Sequence, residues 1–248
     1  MGFNLCIDQG NSRTKIAVFN PEGEIMDCWL YRSQEFRAND IDKFFAAYPQ
    51  IESSIISSVI NIEPAIVNTL NKKSKKFVLF DHNTPVPIEK HYAPTLGQDR
   101  LAAAVGASQL YPDSNLLVID SGTAITYDFV SAEKGFMGGN IAPGLKMRLK
   151  ALRYFTGKLP KVETTQKQIV PLFADNTKDA MIAGAVNGIC FEIEGYIKEL
   201  SQKVDDLKVI ITGGNATTYH HKLNSDTIFQ KNLVLLGLNT ILNYNKNS

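Results

Sequence analysis

The sequence is short of several things, and each shortage excludes a class of protein. Its 248 residues include three cysteines, Cys6, Cys28 and Cys190, with no Cys-x-x-Cys spacing. An odd, scattered set makes neither a disulfide framework nor a structural zinc site, and points to reduced, mostly buried thiols in a cytoplasmic protein. An excess of one charge is also missing: 26 Lys and Arg against 25 Asp and Glu leave a formal net charge of +1. That balance argues against a dedicated nucleic-acid surface, and Lys72-Lys73-Ser74-Lys75-Lys76 reads as a solvated loop or helix end. No apolar run approaches the ~20 residues of a membrane span, and the N-terminus enters a strand without a signal peptide. Met1-Gly2 does not make a myristoylation start, because Cys6 stands where Ser or Thr is needed. The absence of Gly-x-x-x-x-Gly-Lys-Ser/Thr argues against a P-loop enzyme. With 44% hydrophobic and 21% charged residues, the chain is an ordinary globular protein, long enough for one large or two small domains.

What is present begins with Asp8-Gln9-Gly10-Asn11-Ser12-Arg13-Thr14-Lys15, between the apolar runs Asn4-Leu5-Cys6-Ile7 and Ile16-Ala17-Val18-Phe19. Both runs are short and rich in branched residues, so each reads as a strand. The segment between them is a hairpin turn whose backbone N–H groups and polar side chains suit an anion, most simply a phosphate. Such loops are common by chance, but this one recurs. Aligned on the aspartates, Ile7, Asp8, Gly10 and Thr14 match Ile119, Asp120, Gly122 and Thr126. Each copy continues through a second strand and a glycine-containing turn into a third strand, which implies two similar halves.

Taken in order, the first half reads as strands over residues 4–8, 14–19 and 25–31, and a helix over 40–48 with Asp40 placed to cap it. A buried parallel strand over 54–60, a helix over 63–72 with Pro64 in its first turn, and a strand over 77–80 follow. This order fits a mixed sheet of the ribonuclease-H type. An irregular proline-bearing stretch from Asp81 to Pro94 leads into Gly97-Gln98-Asp99-Arg100 and an alanine-rich helix. Asp99 then either complements the helix dipole or stands beside Arg100 as a functional carboxylate, and spacing alone fits both.

In the second half, Gly138-Gly139-Asn140-Ile141-Ala142-Pro143-Gly144 implies a backbone that something approaches closely, with Phe136, Ile141 and Leu145 keeping it near the core. Residues 145–155 read as a basic helix carrying Lys146, Arg148, Lys150 and Arg153, and residues 156–176 as a polar connection. A long helix from Thr177 to about Val204 carries Ala180, Gly184 and Gly188 in one stripe, suited to a helix partner within the chain or across a dimer. The strand Lys208-Val209-Ile210-Ile211 ends in Thr212-Gly213-Gly214, where open sheets commonly receive nucleotides. Residues 232–242 close the chain as a short strand or turn running into a helix. Two phosphate hairpins, each opening with an Asp able to hold a cation across a nucleotide cleft, ask for phosphoryl transfer.

These motifs carry a resemblance. Asp8-x-Gly-Asn-Ser-x-x-Lys15, Asp120-x-Gly-Thr123 and the Gly-Gly strand end resemble the acetate and sugar kinase/Hsp70/actin superfamily. Within it, Leu96-Gly97-Gln98-Asp99-Arg100, Gly138 to Leu145 and Thr212-Gly213-Gly214 together resemble type III pantothenate kinase, over essentially the whole chain. The resemblance implies a duplicated ribonuclease-H-like (actin-like ATPase) α/β fold, with halves 1–114 and 115–248 flanking a nucleotide cleft. It implies ATP-dependent phosphorylation of pantothenate to 4'-phosphopantothenate in coenzyme A synthesis. By position, Asp8, Gln9, Gly10, Asn11, Ser12, Arg13, Thr14, Lys15 and Thr123 would hold ATP, with Asp99 as general base. Tyr92, Gly97, Gln98, Arg100 and Thr177 would contact substrate. Asp120 would bind a monovalent cation, K+ or NH4+, beside a divalent ion such as Mg2+. The family implies a cytoplasmic homodimer with no nucleic acid or membrane partner. Two departures stand out: Tyr92 lies five residues before Gly97, closer than the family's substrate tyrosine, and Asn215 replaces an acidic residue after Thr212-Gly213-Gly214. Competing expectations are a kinase for another hydroxylated small molecule, or a non-catalytic accessory protein of the same family.

Overall fold

The computed structural model describes residues 2–163 and 169–246. They form two compact units, one of Met1–Pro112, Lys134–Phe136 and Asn232–Ser248, the other of Asp113–Glu133 and Met137–Lys231. Unit 1 opens with strands β1 (Phe3–Gln9), β2 (Arg13–Phe19) and β3 (Ile25–Arg32), then alternates α1 (Ala38–Ala47), β4 (Ile51–Ser58), α2 (Pro64–Lys73) and β5 (Lys76–Leu79). Its sheet runs β3-β2-β1-β4-β5, with β1 antiparallel to β2 and parallel to β4.

The pattern of β1 dictates the layers. Leu5, Cys6 and Ile7 are all fully buried, so both faces of the strand need a cover. Leu5 and Ile7 pack with Ile41 and Phe44 of α1 and Ile66 and Leu70 of α2. On the alternate face, the Asn4 side-chain amide donates to Asn239 at 2.6 Å and Asn243 at 2.9 Å, both on α7 (Leu233–Lys246). Helix α7 also packs on α3 (Gln98–Leu110) so closely that a Cβ on Gly237 would lie 1.7 Å from the Ala102 carbonyl oxygen. The C-terminal helix therefore belongs to the first compact unit.

Unit 2 contains β6 (Asn115–Ser121), β7 (Ala124–Ser131), β8 (Gly135–Pro143) from Met137 onward, α4 (Leu145–Phe155), α5 (Thr177–Ser201), β9 (Leu207–Thr212), α6 (Ala216–His220) and β10 (Ile228–Phe229). Its sheet, β10-β9-β6-β7-β8, has the connectivity of the first, with β6 antiparallel to β7 and parallel to β9. The repeat read in two hairpins thus extends through two whole five-stranded sheets, the duplicated ribonuclease-H-like arrangement.

Several local expectations change. Asp40 sits one turn inside α1 and accepts the Arg37 backbone N–H at 3.0 Å, so it caps from within rather than preceding the helix. Ile141 is 66% exposed, while Phe136 and Leu145 are buried as expected. Cys28 is exposed, unlike buried Cys6 and Cys190. The basic run ends α2, with Lys73 paired to Asp42 at 2.8 Å and Lys75 to Glu52 at 2.6 Å. Helix α5 is, among the described residues, long and apolar enough to cross a membrane by length and composition, contrary to the sequence expectation. Met181, Ile182, Val186, Ile189 and Ile193 of this helix lie in the core of unit 2, while Phe191 is exposed. Residues 164–168 of the expected polar connection lie outside the described residues.

Gly237→Ala should force α3 and α7 apart and lower unfolding stability by about 1–3 kcal/mol, the usual cost of overpacking. Chemical denaturation measures it; an unchanged midpoint would show that the two helices do not depend on this contact.

Candidate active site

The first hairpin is built by pairing Asp8 with Lys15 and Gln9 with Thr14. Gly10 N–H closes the turn on the Arg13 carbonyl at 3.0 Å. Ser33, beyond β3, donates its hydroxyl to the Gly10 carbonyl at 2.7 Å and accepts from the Thr14 hydroxyl at 3.2 Å. Ser58, at the end of β4, donates to the Gln9 side chain at 3.1 Å. The side chains of Gln9 and Thr14 are thus buried supports of the loop, while Asn11, Ser12 and Arg13 are exposed at its tip. Sequence reasoning missed Ser33, which lies 23 residues from Gly10 and carries no local motif.

Asp99 occupies the first turn of α3, where its carboxylate accepts the Arg100 backbone N–H at 2.8 Å and complements the helix dipole. A Cβ on Gly97 would stand 2.7 Å from Asp99 Oδ1, so glycine at the N-cap leaves room for the carboxylate. Arg100 is only 6% exposed. Its guanidinium lies over the ring of Tyr92, 5.4 Å from the centroid, and over Phe136 at 5.9 Å. Tyr92, despite its short spacing from Gly97, thus lies against Arg100.

In unit 2, Asp120 pairs with Thr126 on β7 and Thr212 on β9. The one-to-one equivalence with the first hairpin ends at the turn. Gly122 N–H bonds the Ala124 carbonyl at 3.0 Å, making a turn one residue shorter, so Thr126 faces Asp120 whereas Thr14 faces Gln9. Gly213 (φ +96°) passes so near Asp120 that a Cβ there would lie 2.5 Å from Asp120 Oδ1. The backbone approach implied by Pro143-Gly144 is to this same turn: a Cβ on Gly144 would meet the Thr123 carbonyl oxygen at 2.3 Å. The Asn215 amide donates to the carbonyls of Ser121 at 3.4 Å and Gly122 at 3.3 Å, contacts that an acidic side chain could not make. Thr177 is exposed at the start of α5, behind Asn176, which caps the helix by accepting from Asp179 N–H at 3.0 Å.

The buried hydroxyls of Ser121, Thr126 and Tyr219 have no hydrogen-bond partner in the structure. Burial, foremost, pushes the Tyr219 phenol up to about 12; Ser121 is near enough to ease that shift yet short of hydrogen-bonding geometry. No group of three or more His, Cys, Asp or Glu side chains is arranged to hold a metal among the described residues.

The sequence profile of type III pantothenate kinase matches residues 4–199. The chain is 41% identical to the type III pantothenate kinase of Phocaeicola vulgatus over 244 residues, 98% of both chains. It belongs to the type III pantothenate kinase family. The family member from Porphyromonas gingivalis strain ATCC 33277 is also 41% identical, covering 99% of this chain and 100% of its own. Among solved structures, the activator of 2-hydroxyisocaproyl-CoA dehydratase from Clostridium difficile, determined with bound ADPNP, superposes with a TM-score of 0.55 at 10% identity, covering 99% and 98% of the two chains. That likeness concerns the fold alone.

For this kinase, Gly97→Ala should displace the Asp99 carboxylate and lower kcat roughly 10²-fold, the scale of a 1 Å misplacement. Steady-state kinetics beside a melting curve checks it. Full activity with an unchanged fold would show that the carboxylate tolerates the shift.

Proposed function

We propose that the chain phosphorylates pantothenate by direct in-line transfer from ATP, with Asp99 as general base. The observation that carries this reading is that Asp99 and Arg100 stand in sequence on the first turn of α3, with the Asp99 carboxylate held by the Arg100 backbone N–H. A carboxylate able to take a hydroxyl proton stands next to a stacked guanidinium suited to an acidic substrate. The substrate hydroxyl gives its proton to Asp99 while its oxygen bonds to the γ-phosphorus, and ADP leaves with the electron pair of the broken bond. Asp8 to Lys15 and Thr123 hold the ATP phosphates. Tyr92, Gly97, Gln98, Arg100 and Thr177 bind pantothenate.

The Asp120 carboxylate, with the partnerless buried hydroxyl of facing Thr126, fits an oxygen-liganded K+ or NH4+ ion. A divalent ion, Mg2+ by its usual preference for one or two carboxylates plus phosphates, would neutralise charge on the nucleotide. The three free thiols fit a cytoplasmic enzyme.

Assembly as a homodimer is supported by α5. Gly188 faces Arg148 within the chain, but a Cβ on Gly184 would meet nothing within 4 Å, and Ala180 is exposed beside it. Both line an open groove of about 520 Å³ with Leu152 and Phe155 of α4, and Phe191 is 63% exposed two turns further along α5. A helix of a second copy fits such a small-residue, apolar surface.

ADP release from ATP should require pantothenate, should not occur with glucose, and should be supported by K+ or NH4+ but not by Na+ alone. Asp99→Asn should lower turnover roughly 10²–10⁴-fold with ATP binding kept. Turnover independent of pantothenate, or a fully active Asp99→Asn, would sink this reading. For assembly, sedimentation should show a dimer that Gly184→Leu converts to monomer; a monomeric wild type would remove the dimer.

A further inference from the structure

Arg148 of the basic helix α4 has no part in the reaction described so far, yet it is gripped on both sides. Its Nε donates to the Pro143 carbonyl at 2.8 Å, and its Nη2 donates to Glu192 Oε2 at 2.5 Å. The other oxygen of Glu192 accepts the Tyr127 hydroxyl at 2.9 Å, and the Tyr127 ring stacks on Tyr196 with centroids 4.2 Å apart. Arg148 and Glu192 side chains are 22% and 28% exposed, so the pair is shielded from water on most sides. The guanidinium passes close to Gly188 of α5, where a Cβ would lie 3.8 Å from Nη1.

The far end of this chain of contacts is the second phosphate turn. The Arg148 backbone N–H binds the Gly144 carbonyl at 2.9 Å, so one residue holds the carbonyls of both Pro143 and Gly144. Gly144 in turn sits against the Gly122 and Thr123 carbonyls, too close for any side chain. Burial first, then the Glu192 carboxylate, pushes the Tyr127 phenol far above its ordinary range, which keeps it a donor to Glu192.

We infer that Glu192 and Arg148 are positioning residues for ATP: through Pro143 and Gly144 they set the Gly122-Thr123 turn against which the phosphates rest. Neither residue touches the nucleotide. Two engaged oxygens on Glu192 fix the guanidinium, the guanidinium fixes the start of α4, and the packed Gly144 backbone transmits that position to Thr123. The inference rests on the role of Thr123 proposed above.

The experiment measures KM for ATP and for pantothenate separately in full-length Glu192→Gln, Arg148→Met, Arg148→Lys, Tyr127→Phe and Thr123→Ala, with a melting curve for each. Glu192→Gln and Arg148→Met should raise KM for ATP roughly 2–30-fold, the scale on which residues outside a binding site modulate it. KM for pantothenate should stay unchanged. Arg148→Lys, charged but unable to fork, should rescue only part of the loss. If Glu192→Gln does not fold, Tyr127→Phe, which removes one donor and keeps the ring stack, should give a smaller shift of the same kind. Combined with Thr123→Ala, Glu192→Gln should add less than its separate effect, because both act on one turn. Both KM values rising together, effects that multiply in the double variant, or no shift in any variant would overturn the inference. If wild type shows no pantothenate-dependent ADP release, the proposed function itself fails. If wild type and Thr123→Ala behave as expected while Glu192→Gln, Arg148→Met and Tyr127→Phe match wild type, only the positioning role fails.

Discussion

Each unit depends on one strand, β1 or β6, that pairs antiparallel on one side and parallel on the other. Such a strand is buried on both faces, so its only polar opportunities lie where it ends and the backbone turns. There each strand carries an aspartate, Asp8 opposite Lys15 and Ser57, Asp120 opposite Thr126 and Thr212. A slip of one residue would carry either carboxylate to the opposite face of its sheet, so the position of both aspartates is specified by the strand register.

Around these strand ends the backbone is packed more tightly than side chains would allow. Gly213 lies against Asp120 and Gly144 against Thr123, while Gly97 clears the Asp99 carboxylate. Rigidity of this kind suits phosphoryl transfer, where alignment and fixed dipoles supply most of the catalysis. It also makes the turns dependent on what lies behind them: Ser33 and Ser58 for the first hairpin, Asn215 and the Glu192–Arg148 pair for the second.

The duplicated halves have diverged at their turns. The first turn is a residue longer and exposes Asn11, Ser12 and Arg13, a donor-rich tip. The second is shorter and brings Thr126 opposite Asp120. Apart from both hairpins, the Arg100 guanidinium lies against the rings of Tyr92 and Phe136, which themselves meet edge to face.

Local chemistry made much of this legible. Alternating and continuous apolar runs marked the strands, the recurring Asp-x-Gly marked the duplication, and Gly97-Gln98-Asp99-Arg100 marked a helix start bearing a carboxylate. These features rest on period, turn residues and capping, which act within a few residues of chain. Contacts between distant segments were decided only by the tertiary structure. The Ser33 support of Gly10, the Phe136 ring over Arg100, the return of α7 to the first unit and the Arg148–Glu192 grip on Pro143 each join residues far apart in sequence. The small-residue stripe shows the limit most clearly. Its spacing placed Gly184 and Gly188 on one helical face, but only packing could turn Gly188 towards Arg148 and leave Gly184 open. Spacing sets which side chains share a face, whereas what that face meets depends on where the whole fold carries the helix.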